Sequence, residues 1–121
     1  MNIKTFELER IQSLYENTVD FNLTESGFYP YTLSDLFSTE QQKELLNLNL
    51  GYGQTNGAIP LRKQIANLYD CKNEDQVLIT NGSSEANYVL CKTLLEKGDH
   101  VIMMVPNYMQ IWGIAEDMGC R

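Results

Sequence analysis

One stretch, residues 76–106 (QVLITNGSSEANYVLCKTLLEKGDHVIMMVP), limits the possible folds of this chain more than any other. Val77, Leu78 and Ile79 form a short apolar run rich in β-branched residues, the pattern of a strand covered on both faces. Asn81-Gly82 is a turn dipeptide, and Gly82 can take a positive φ at no steric cost. Ser83 and Ser84, both good N-cap residues, precede a helical spacing at Ala86, Val89, Leu90, Thr93 and Leu94. Gly98 reads as the stop of that helix, with Lys97 in its last turn. The apolar residues 101–105 read as a second strand ended by Pro106. The whole has the length of a βαβ crossover, so the expected fold class is α/β, with parallel strands and a right-handed connection.

The chemistry of this unit lies in its turn. A helix N-terminus presents unpaired amides and a partial positive charge. Gly82 lets a ligand approach the backbone closely, and Ser83 and Ser84 add hydroxyl donors. Such a turn suits a phosphate or carboxylate, each charged hydrogen bond contributing roughly 1.5–3 kcal/mol. The other reading is that Ser83 or Ser84 only caps its own helix. The residues of a P-loop or a dinucleotide fingerprint are absent.

Composition excludes several classes. A formal net charge of −7 argues against nucleic-acid binding, which needs a basic surface. No apolar run approaches the ~18 residues of a membrane span, and the first ten residues have no apolar signal core. The cysteines, Cys71, Cys91 and Cys120, are odd in number and widely spaced, which fits reduced thiols in a cytoplasmic protein. With one histidine, His100, and no C-x-x-C, no metal site is expected, and His100 reads as structural.

The remaining segments carry weaker signals. Ile3, Phe6, Ile11, Leu14 and Tyr15 predict a helix over 3–16, followed by an alternating, extended run at 19–23. A turn at 25–27 leads into the aromatic patch Phe28, Tyr29 and Tyr31. Ser34 is a candidate cap for a short turn, and Thr39 with Gln42 fits a capping box for a helix to about Asn47 with Leu45 and Leu46 inward. Residues 51–57 form an irregular glycine-rich loop. Pro60 suits a first helical position, with Leu61, Ile65, Leu68 and Tyr69 on the apolar stripe of a helix over 60–69 and Arg62 and Lys63 on its polar side. Asn107-Tyr108 is a loop after the second strand, and Ile111, Trp112, Ala115 and Met118 predict a helix ending at Gly119. In open α/β sheets ligands bind beyond the carboxyl ends of the strands, so Tyr108 is expected to face the same crevice as the Gly82 turn. The alternating pattern calls for a further strand after Gly119, and a two-strand parallel sheet is a poor free-standing core. The chain is therefore expected to be the front piece of a longer α/β protein.

Five segments in order now carry a resemblance: Leu50-Gly51-Tyr52, the run 57–62, the run 79–86, Gly98-Asp99-His100-Val101, and Val105-Pro106-Asn107-Tyr108. Together they resemble the front part of the class I/II aminotransferases, fold type I enzymes that use pyridoxal 5′-phosphate (PLP). The likeness is strongest over 48–119. It implies the PLP-dependent transferase fold, with 1–47 as a helical and extended small-domain or interface arm and 48–121 as the start of the PLP-binding large domain. It implies that Gly82, Ser83 and Ser84 bind the cofactor phosphate, that Tyr108 stacks on its pyridine ring, and that Tyr52 reaches a partner copy's phosphate across a homodimer. Gly27 corresponds to a glycine near the substrate carboxylate, and the 57–62 run with Arg62 reads as structural.

The resemblance also implies an activity, amino transfer between an amino acid and a 2-oxo acid. The family's Schiff-base lysine, its aspartate on the pyridine nitrogen and its carboxylate-binding arginine correspond to positions beyond Arg121. Lys92 and Lys97 do not match that lysine, so no catalytic residue is expected in these 121 residues. A PLP lyase or synthase on the same scaffold, or a non-catalytic interaction module, remains as an alternative.

Overall fold

The computed structural model describes residues 4–28, 30–70 and 73–121. Ile3, Tyr29 and Cys71, used above, lie outside the described residues. Among the described residues six α-helices follow in order: α1 (Glu7–Tyr15), α2 (Leu33–Leu36), α3 (Thr39–Leu46), α4 (Ile59–Leu68), α5 (Ser83–Leu94) and α6 (Gln110–Asp117). A 3-10 turn (Glu74–Gln76) packs against α4, and α5 packs against α6.

The expected strands do not form among the described residues. The apolar runs 77–79 and 101–105 share no backbone hydrogen bond, so the βαβ pairing is absent. The physical reason is coverage. A parallel ladder is stable when both faces are packed, yet the Ile102 side chain is 99% exposed. One parallel rung does appear elsewhere. The Arg121 amide donates to the Asp99 carbonyl at 2.8 Å, and the Val101 amide donates to the Arg121 carbonyl at 2.9 Å. Those two bonds have the alternation of a parallel pair.

Burial is sparse throughout. The accessible surface is 10915 Å², against roughly 6700 Å² for a compact monomer of this mass. Among the described residues the buried apolar side chains are Ala66, Cys91 and Ala115. Leu46, predicted inward, is 87% exposed, and Leu68 and Tyr69 are exposed as well, so the α3 stripe and the C-terminal end of the α4 stripe face solvent, while Ile65 is half-buried.

Arg62 corrects its predicted place on the polar side of α4. It is buried, with Nε donating to the Gly57 carbonyl at 3.0 Å and Nη1 to the Glu74 carbonyl at 2.7 Å. A weaker contact reaches Asp75 at 3.4 Å. The guanidinium replaces water as donor to two loop carbonyls, which a helical-wheel reading does not register.

The caps shift by a residue or two. Thr32, not Ser34, caps α2, through a reciprocal capping box with Asp35. Ser38 with Gln41, not Thr39 with Gln42, makes the box on α3. Both pairs have the required spacing, and Gln42 is instead occupied by the Phe37 carbonyl at 2.8 Å. Helix α1 begins at Glu7 rather than residue 3, and the expected extended run at 19–23 is broken by bends at residues 20, 21 and 23. Helix α5 ends at Leu94, short of Gly98. There the Asp99 carboxylate takes the Glu96 amide at 2.7 Å, a local turn that competes with another helical turn. Gly98, at φ 96°, serves that turn.

Candidate functional site

The approach to α5 is built around glycine. Gly82 sits at φ 84°, ψ 169°, a region essentially confined to glycine. Its amide donates to the Thr80 carbonyl at 3.0 Å, and the Thr80 hydroxyl donates to the Gly82 carbonyl at 3.0 Å. The Glu85 carboxylate reaches back to the Asn81 amide. Gly82 is the N-cap and has no side chain to fill the helix end, and no other side chain caps it. The amides of Ser83, Ser84 and Glu85 therefore make no hydrogen bond among the described residues. The turn is exposed, and the space where a Cβ of Gly82 would stand is open.

Helix α6 is fixed beside this turn by Gln110. Its side-chain amide donates to the Ser84 carbonyl at 3.1 Å and accepts from Asn87 at 3.0 Å. That bridge brings Tyr108, two residues earlier, to the turn. The Tyr108 hydroxyl donates to the Glu9 carboxylate at 2.5 Å, and the Phe6 ring lies 4.9 Å away, tilted by 57°. Glu9 pushes the Tyr108 phenol above its usual pKa by holding its proton. Partial burial adds to this, while the Ser84 hydroxyl beside it pulls the other way.

The structure thus gathers Gly82, Ser83, Ser84 and Tyr108. Tyr52 is fully exposed, and the Gly27 amide turns back onto Glu25 at 2.5 Å. No hydrogen bond, ion pair or ring contact joins Tyr52 or Gly27 to the turn among the described residues. Sequence reasoning missed Gln110, Asn87, Phe6 and Glu9. Gln110 and Asn87 are ordinary polar residues on helices. Glu9 meets Tyr108 across 99 positions, a contact that leaves no local pattern. A cavity of about 430 Å³ lies between α1, α5 and α6 and is lined in part by Phe6 and Met109. It is mainly apolar and is lined by none of Gly82, Ser83, Ser84 or Tyr108.

Uncapped amides, hydroxyls and a nearby aromatic ring are groups whose chemistry suits an anionic, planar ligand. The family described as aminotransferase class I and II matches residues 19–121, and the chain belongs to this family. Membership implies the fold of the PLP-dependent transferases. A "Probable aspartate aminotransferase" of Methanocaldococcus jannaschii is 33% identical over 70 residues, 54% of this chain and 19% of the relative. The chain thus matches about a fifth of that relative's length. No solved structure matches it.

Among the described residues no helix is long and apolar enough to cross a membrane.

Proposed function

We propose that this chain is the cofactor-anchoring front part of a PLP-dependent aminotransferase that moves an amino group between an amino acid and a 2-oxo acid. In this reading residues 1–47 form the arm and 48–121 begin the cofactor-binding domain. The family match supports the reaction class. The observation that carries the assignment of the site is the Gln110 hydrogen bond to the Ser84 carbonyl, which sets Tyr108, two residues earlier, beside the uncapped end of α5.

The residues present fit the cofactor. The amides of Ser83 and Ser84 and their hydroxyls would take the phosphate, with Gly82 keeping the approach open. Tyr108 would lie against the pyridine ring. Tyr52 is free to reach a second copy's phosphate in a homodimer, and Gly27 would border the substrate carboxylate. When bound, PLP supplies an electron-withdrawing ring that stabilises negative charge on the α-carbon of the amino acid. This chain's share is to bind and orient, and the proton-moving groups belong to the rest of the enzyme. The large excess of exposed apolar surface fits runs 77–79 and 101–105 that the remaining sheet would cover. Aspartate, the substrate in the relative's name, is one candidate amino acid.

The test is titration with pyridoxine 5′-phosphate, which keeps ring and phosphate but lacks the lysine-reactive aldehyde. Ser84→Ala should weaken binding by roughly 1–3 kcal/mol, one charged hydrogen bond. Tyr108→Ala should weaken it too. Equal affinity in the wild type and both variants would make Ser84 a bystander and remove the site. Amino transfer itself is read as 2-oxo-acid formation by a polypeptide extended to the length of the relative.

A further inference from the structure

The segment 4–9 is fastened to the candidate site. Glu9 takes the Tyr108 proton, and Phe6 lies against the Tyr108 ring. Lys4 pairs with Glu116 at 2.7 Å and lies 5.2 Å over the Trp112 ring. An ionised carboxylate only accepts hydrogen bonds, so the single phenolic proton of Tyr108 is committed to Glu9. One side of the ring is taken by Phe6. A planar aromatic phosphate seated on Tyr108 would need that ring, and its charge would stand near the Glu9 carboxylate, where like charges disfavour each other.

The fastening is also weak enough to release. The Lys4–Glu116 pair is solvent-exposed, and such pairs contribute little. Segment 4–9 carries no fully buried side chain.

We propose that residues 4–9 form a strap over the cofactor platform, and that its docking on Tyr108 competes with an aromatic phosphate for the Gly82 turn. This rests on the reading of that turn and Tyr108 as the ligand's seat. The strap makes affinity depend on where α1 lies, so anything that draws α1 away loads the site.

Trp112 is the single tryptophan and lies under Lys4, so its emission reports the strap. The experiment titrates the full chain with pyridoxine 5′-phosphate, reading heat and Trp112 emission together. In wild type, binding should shift the emission toward that of the Phe6→Ala/Glu9→Ala double variant. The double variant should bind roughly tenfold tighter, the scale of one charged hydrogen bond. Lys4→Ala, which leaves every Tyr108 contact in place, should tighten binding by about twofold, as a surface pair allows. It serves if the double variant fails to fold. Binding that Ser84→Ala weakens, but that strap release leaves unchanged or weaker, overturns the strap while the turn stands. Binding without an emission change does the same. If the probe binds no variant, the reading of the turn fails and the strap with it.

Discussion

Ile79 occupies the space that a side chain on Gly57 would need: a Cβ there would collide with Ile79 Cγ1 and Cβ. The Ile79 amide also donates to the Asn56 carbonyl at 3.1 Å. The glycine-rich loop is thereby clamped onto the run that enters the Gly82 turn. Gly57 stands at φ 100°, so it is fixed by conformation and by space together.

Gly57→Ala should therefore cost about 2–4 kcal/mol, strain plus overpacking. Gly82→Ala meets no atom within 4 Å and should cost only the strain, about 1–2 kcal/mol. Urea midpoints followed by Trp112 fluorescence rank the two, and a larger loss at Gly82 would contradict the geometry.

Arg62 and Asp75 should behave unequally although they form one ion pair. The Arg62 side chain is 5% exposed and that of Asp75 is 81% exposed. Arg62→Ala leaves the Gly57 and Glu74 carbonyls without their donor and should cost about 2–4 kcal/mol. Asp75→Ala should cost under about 0.5 kcal/mol. The same denaturation series checks both, and equal losses would mean that the ion pair rather than the carbonyl contacts matters.

The Tyr108 phenol should titrate above ordinary tyrosines because Glu9 holds its proton. Its folded-state pKa exceeds the unfolded value. The stability it contributes is therefore whole below the ordinary tyrosine range and fades as pH rises through the raised value. In a tyrosinate absorbance titration, subtraction of a Tyr108→Phe trace isolates this step. Glu9→Ala should move the step to lower pH, and an unmoved step would show that the carboxylate does not hold the proton.

Cys91 should be a poor nucleophile. Burial pushes its thiol pKa up, and a charge on Cys120 would push the same way. Alkylation by iodoacetamide near neutral pH, read by peptide mass spectrometry, should be at least about tenfold slower at Cys91 in the native chain than in urea. Equal rates would mean that the α5–α6 contact does not shield it.

Several features were legible locally. The N-G-S-S sequence marked a turn into a helix, because only glycine takes the Gly82 backbone, but the N-cap is Gly82 rather than either serine, and no strand precedes it among the described residues. Helices α4, α5 and α6 follow from apolar spacing, their bounds being off by one to four residues where Asp99 or a neighbouring cap competed. The burial of Arg62 was not legible, since a charged side chain on a helix reads as solvated until the carbonyls it serves are in place. Nor was the failure of the two apolar runs to pair, because a strand's stability belongs to its neighbours and not to its own residues.

The sequence by itself determined the family, the glycine turn and the residue types that suit an anion, because these depend on backbone freedom and on chemistry within a few positions. Only the tertiary structure decided that Tyr108 stands at that turn with its proton on Glu9. Gln110 draws α6 against α5, and a contact 99 residues apart in sequence is set by packing, which no local pattern encodes.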